Sequence, residues 1–191
     1  MGRLFLDHAL LISDVMVAVE LACRQHPNLR LLSTEDIKLP AGTRKRDPFQ
    51  WTVNLGRGRD CGVIPDRVFG LESHDKSGRK NRVWFCLEAD RGTMPITRSN
   101  PNLSSFQRKL VAYAATWTQG IHQRLGITRF RVLTVTTSRE RLESMHTACR
   151  SLPRGHGLFL FTDAAALNQA PDILTHPWRQ CHTDRTTSLL D

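Results

Sequence analysis

Between residues 4 and 25 the apolar residues Leu11, Val15, Ala18, Val19 and Ala22 recur three and four positions apart. That spacing predicts an amphipathic helix with one buried stripe. His26-Pro27-Asn28 closes it, because the residue before a proline resists the helical region. Residues 29–37 read as a short strand and 38–48 as a basic loop with two prolines. The segment FQWTVNL (49–55) alternates apolar and polar positions, as a half-buried strand does, and 56–60 is a turn. IPDRVFGLE (64–72) and RVWFCLEAD (82–90) read as two further strands joined by a polar hairpin loop. The second is almost continuously apolar, which predicts a central strand.

Residues 91–102 are irregular. Ser104 and Ser105 can cap a helix over about 106–124, with Leu110, Ala114 and Trp117 on its buried side and Gly126 just past its end. FRVLTVTTS (130–138) predicts a strand, 139–152 a helix ended by Pro153 and Gly155, and 157–163 another buried strand. The tail reads as irregular with one short helix, loosely ordered over its last ten residues. A helix, a run of strands, then alternating helices and strands predict an α/β (α+β) fold with a mixed sheet covered on both faces. Neither a repeat nor a linker divides the chain, so one domain is expected over residues 1–178, with 179–191 as a C-terminal tail.

Composition narrows the picture. A chain of 191 residues that is 40% hydrophobic can bury a real core. The longest apolar stretch is interrupted by Asp7, His8, Asp14 and Glu20, so no membrane span is expected, and without a signal-peptide layout a cytoplasmic protein is the expectation. The five cysteines are scattered and never spaced C-x-x-C, which argues against a disulfide framework or a zinc ribbon and for buried thiols. The formal charge of +9 favours polyanionic partners, nucleic acid first. Arg44, Lys45, Arg46, Arg57 and Arg59 flank one hairpin and Lys76, Arg79, Lys80 and Arg82 another. Both sets can track a DNA backbone or simply keep a loop solvated.

The candidate chemistry lies in the acids. Asp66 follows Pro65 in one strand, and Glu88 and Asp90 stand two apart at the end of the next, so the latter two share a face. Converging carboxylates suit Mg²⁺ or Mn²⁺, with Asp66 and Glu88 as the metal ligands. Such an ion polarises a phosphodiester and acidifies a bound water. Lys109 and Arg91 are the cations within reach of that chemistry. The bland alternatives are a turn-forming Asp66, and Glu88 and Asp90 in ion pairs with Arg91 or Arg82, since a buried charge needs a partner. Glu20 lies on the far side of the first helix, whereas His8 and Asp14 flank its stripe as polar residues with local partners.

The element order, with P-D in one strand and E-x-D in the next, resembles the PD-(D/E)xK nuclease-like superfamily. That resemblance implies a restriction-endonuclease-like αβββαβ core. Its standard motif has lysine where Asp90 stands here, and some branches take a cation from the following helix instead. Here that helix carries Lys109 and Tyr113 as K-x-x-x-Y, one turn apart on one face. More closely, HALLISDVMVAVELA, IPDRVFGLE, LEADRGT, FQRKLVAYA, FRVLTVTTSRER and GLFLFTDAAAL resemble the replication-relaxation family of bacterial plasmids and mobile elements, over roughly residues 5–178. The resemblance implies DNA as a partner, with a replication or mobilisation protein as a second. Family members often carry a winged-helix segment ahead of this core; because the present sequence starts at the core's first helix, the resemblance leads one to expect that segment to be absent here. A metal-dependent nicking endonuclease would use Asp66, Glu88, Asp90 and Lys109, with Arg91, Arg57, Arg59, Lys80 and Tyr113 toward the nucleic acid. The alternative is a non-catalytic accessory or interaction protein on the same fold.

Overall fold

In the computed structural model the apolar segment around residue 85 is an interior strand, third in order, of a seven-stranded mixed sheet. The structure describes residues 3–43, 47–56, 58–74, 78–100, 102–181, 183 and 185–191, so Arg44, Lys45, Arg46, Arg57 and Lys76 lie outside the described residues. The sheet is built from β1 (Leu29–Leu32), β4 (Arg67–His74), β5 (Lys80–Asp90), β6 (Phe130–Thr136), β7 (Phe159–Asp163), β8 (Trp178–Gln180) and β9 (Thr186–Thr187), in that spatial order. The β5–β6 and β6–β7 pairs are parallel and the others antiparallel. A separate hairpin, β2 (Trp51–Asn54) with β3 (Asp60–Val63), is inserted between β1 and β4.

The alternation of the strands sorts two cores. Trp84 and Cys86 of β5, Phe130 and Val132 of β6, and Phe159 and Phe161 of β7 face one layer. That layer holds α2 (Phe106–Thr118), α4 (Arg139–Arg150) and the β2–β3 hairpin. Phe85, Leu87, Leu133, Val135 and Leu160 face the other, where α1 (Arg3–Gln25) contributes Val15, Val19 and Ala22 and α5 (Ala164–Asn168) contributes Leu167. A strand buried on both faces has no room for a polar stripe, which is why β5 reads as nearly unbroken apolar sequence. Residues 15, 19 and 22 are thus the buried stripe of α1, as their spacing predicts. The opposite side of α1 exposes Leu6, Leu10, Val17 and Leu21.

Three expectations are corrected. The helix predicted over 106–124 breaks after Thr118, because Gly120 adopts φ +65°, and a short α3 (Ile121–Arg124) follows. The tail is not loose after residue 178: β8 and β9 extend the sheet, Trp178 is fully buried and Leu189 nearly so. Its strands are too short to show a period, so only burial reveals them. The cysteines are not all thiols. Cys149 of α4 and Cys181, just beyond β8, form a disulfide with Cα atoms 6.0 Å apart, while Cys23, Cys61 and Cys86 are buried thiols. These partners are 32 positions apart, so no local spacing marks them. The mixed sheet with helices on both faces stands as expected.

Gly70 of β4 lies directly opposite Trp84 of β5, and a Cβ at Gly70 would meet the indole Cε3 at 2.9 Å. The buried ring has nowhere to go, so Gly70→Ala is expected to cost about 1–3 kcal/mol by urea unfolding. Adding Trp84→Leu to that variant should restore part of the loss. Two fully additive substitutions would show that ring and glycine do not compete for space.

Candidate functional site

Asp66 sits one residue before β4, not inside a strand, but the ladder already extends to it. Its N–H donates to the Leu87 carbonyl (3.0 Å), and its Oδ2 accepts from the Ala89 N–H (2.8 Å). The ladder ends at the Arg67–Leu87 pair, and Asp66, bonded to the same Leu87 carbonyl, stands close enough to Glu88 for its charge to act on that carboxyl. Asp66 Oδ1 accepts from His8 Nε2 of α1 (3.1 Å). The sequence placed His8 beside the apolar stripe; the fold makes Asp66 its partner.

Glu88 lies near the end of the central strand, its side chain only 5% exposed. From α2, Lys109 Nζ donates to Oε2 (2.5 Å) and Tyr113 hydroxyl to Oε1 (2.6 Å). Ser105 starts this helix by accepting the Arg108 N–H, and the four-residue spacing stacks Lys109 over Tyr113. The K-x-x-x-Y motif therefore serves one carboxylate. Burial pushes the Glu88 carboxyl above the usual carboxylate range; Lys109 pulls it partway back, and the charge of Asp66 pushes the same way as burial. Burial alone would lower the Lys109 ammonium, but the charge and hydrogen bond of Glu88 raise it above its ordinary value. Burial and Glu88 raise the Tyr113 hydroxyl well above its usual range, so it remains a donor. Thr134, level with Glu88 on β6, is buried with its hydroxyl unpartnered.

Asp90 belongs to a second network. Arg141 of α4 grips it through both Nε and Nη2, the latter at 2.8 Å, and the Thr136 hydroxyl and the Gly92 N–H each donate at 3.0 Å. Neither Arg91 nor Arg82 takes the structural role foreseen for it. Arg82 and Lys80 pair with buried Glu72, and one buried Arg91 nitrogen, Nη1, has no partner. Lys80 opens β5, eight residues before Glu88, hence roughly 26 Å along the strand. Arg59 is exposed at the β2–β3 turn. Tyr113 is 1% exposed and presents no surface to a nucleic acid. Sequence reasoning missed Arg141 altogether, since it lies 51 positions beyond its partner.

These oxygens do not fit a divalent ion as arranged. Both oxygens of Asp66, of Glu88 and of Asp90 already accept hydrogen bonds from protein donors, and a metal needs free oxygens at about 2.0–2.6 Å. Among the described residues, no three His, Cys, Asp or Glu side chains are placed to hold one. An ion bound by Asp66 and Glu88 would have to displace His8 and Lys109.

A protein of mixed sheet and flanking helices, with acids at the ends of β4 and β5 answered by cations from the helices, is the class that this geometry defines. A family model described as replication-relaxation matches residues 1–142, from α1 into the first turn of α4, and the chain belongs to that family. The match stops short of the residue 178 implied by the motifs. No curated protein and no solved structure matches the chain. Among the described residues, no helix is long and apolar enough to cross a membrane.

Removing the Lys109 ammonium leaves Glu88 buried with a neutral donor only. Lys109→Met is expected to cost about 2–3 kcal/mol at pH 8, below the roughly 3–5 of a fully buried pair because the lysine side chain is 39% exposed. The sign follows from the raised carboxyl. Its folded form holds a proton to higher pH than the unfolded form, so stability falls as pH rises toward and through the folded value. The deficit of Lys109→Met should therefore shrink between pH 8 and pH 5, and Glu88→Gln in the same chain should remove most of the pH dependence. A deficit independent of pH, measured by denaturant titration, would place the lost energy elsewhere.

Proposed function

We propose that this chain is a DNA-associated protein of plasmid or mobile-element replication or relaxation. On this reading it works as an accessory on a nuclease-like scaffold, with DNA and a replication or mobilisation protein as partners. Family membership over residues 1–142 supports the DNA role. The accessory character rests on a single observation: every carboxylate oxygen of Asp66, Glu88 and Asp90 is engaged by a protein donor. A site of this kind holds its strands and helices in register and is not primed to take up an ion. The net charge of +9 supplies the long-range attraction to a polyanion.

A second reading, a Mg²⁺- or Mn²⁺-dependent nicking endonuclease of the PD-(D/E)xK kind, is favoured by a different observation. Asp66 lies close enough to Glu88 for its charge to raise that carboxyl, and Lys109 reaches Glu88 from the helix where some branches of that superfamily keep their cation. The two readings separate on supercoiled plasmid. The accessory reading expects salt-dependent binding that is the same in Mg²⁺, Mn²⁺ and EDTA, with no open-circular product. Metal-dependent nicking by the wild type that disappears in Asp66→Ala and Glu88→Gln would establish the enzyme instead.

A further inference from the structure

Glu72, Glu88 and Asp90 are answered by cations, but one group of arginines is not answered by acids. A cavity of about 230 Å³ lies between the β2–β3 turn, the irregular segment before α2, and the first turns of α2. Arg59, Arg98 and Arg108 line it together with Asn102, Ser105 and Gln107. Each guanidinium is anchored by neutral acceptors. Arg108 donates to the carbonyls of Asp60 (3.1 Å) and Asn102 and to Cys61 Sγ (3.3 Å). Arg98 donates to the Ser104 carbonyl (2.9 Å) and Arg59 to that of Gly56 (3.4 Å). Among the described residues none of the three pairs with a carboxylate, whereas Arg24, Arg30, Arg82, Arg141 and Arg179 each do.

Three like charges held beside one cavity repel each other, and an anion there relieves the repulsion. Guanidinium forks match the oxygens of a phosphate, and anchored forks lose little freedom on binding one. The backbone contributes nothing further. The N–H groups of Phe106, Gln107 and Arg108 already donate to Pro95, Ile96 and the Ser105 hydroxyl. Size narrows the ligand, since the cavity is below the roughly 300–1,000 Å³ of pockets that take a whole small molecule. We propose that this cavity is a phosphate site that holds a backbone or terminal phosphate of a DNA strand. The identification of the strand rests on the DNA reading above; the phosphate chemistry does not. Arg108 and Lys109 are successive residues, about 100° apart around α2. Arg108 turns to the β2–β3 hairpin and Lys109 to buried Glu88, so the phosphate site lies apart from the Glu88 cluster.

The test uses the full chain. Labelled single-stranded and duplex oligonucleotides, each with and without a 5′-phosphate, are titrated by anisotropy over a salt series. Arg59→Ala with Arg98→Ala removes two exposed cations and should weaken binding about tenfold and reduce the log K against log salt slope by roughly 1 to 2. Arg24→Ala with Arg185→Ala removes the same charge elsewhere and should change both far less. Dependence on the 5′-phosphate assigns the site to a strand end, and indifference to it assigns an internal phosphodiester. Inorganic pyrophosphate, tested by thermal shift, should raise the Tm of the wild type and not of Arg59→Ala with Arg98→Ala. Equal losses in the two double variants, or no loss in either while the wild type binds DNA, overturn the site and leave the DNA reading standing. A wild type that binds no DNA but is stabilised by pyrophosphate through these arginines keeps the phosphate site and overturns the DNA reading. A wild type that responds to neither overturns both.

Discussion

A carboxylate sealed into the end of a central strand is the constraint around which this protein is arranged. Glu88 cannot be left unpaired at 5% side-chain exposure, because an isolated buried charge costs several kcal/mol. Lys109 and Tyr113 meet that cost together, and both come from α2. The requirement therefore fixes the rotation of α2 about its own axis and its height over β5. With α2 placed, Leu110, Ala112 and Phe106 fall into the core above Trp84, Cys86 and Phe130. The N-cap at Ser105 then fixes where the preceding loop must come down. Asp90 and Arg141 repeat the arrangement for α4, one carboxylate and one helix cation tying the next layer to the same strand.

Electrostatics divides the molecule into two regimes. Along the ends of β4 and β5 every acid is matched and the network is closed. Around the start of α2, arginines are held in place by carbonyls and a thiol, and their charge faces outward unmatched. Closed pairs in a low-dielectric interior give positional specificity more than net stability. Unmatched, pre-positioned cations give affinity for anions that falls with salt.

Much of this was legible in the chain. The three-and-four spacing of Val15, Val19 and Ala22 and the nearly unbroken apolar run in RVWFCLEAD are short-range signals, and they gave α1 and β5 directly. The acids announced themselves because Glu88 and Asp90 break an otherwise apolar strand at its end. Lys109 and Tyr113 were also visible, since a helix of known phase puts them on one face. Arg141, His8 as the partner of Asp66, and the Cys149–Cys181 disulfide were not, because each joins segments 32 to 58 positions apart. Strands β8 and β9 were missed for another reason: three and two residues are too few to carry a period.

The sequence by itself determined the order and kind of the main elements, which face of each is apolar, the excess of positive charge, and the delivery of acids to the ends of two neighbouring strands. These follow from local periodicity and from counting. Only the tertiary structure decided which donor answers which acid, that all three carboxylates are already engaged, and that Arg59, Arg98 and Arg108 gather at one cavity. Such pairings depend on how layers dock over tens of residues. Docking is set by the volume of the whole core and by the need to satisfy each buried charge, neither of which is written in any single stretch of the chain.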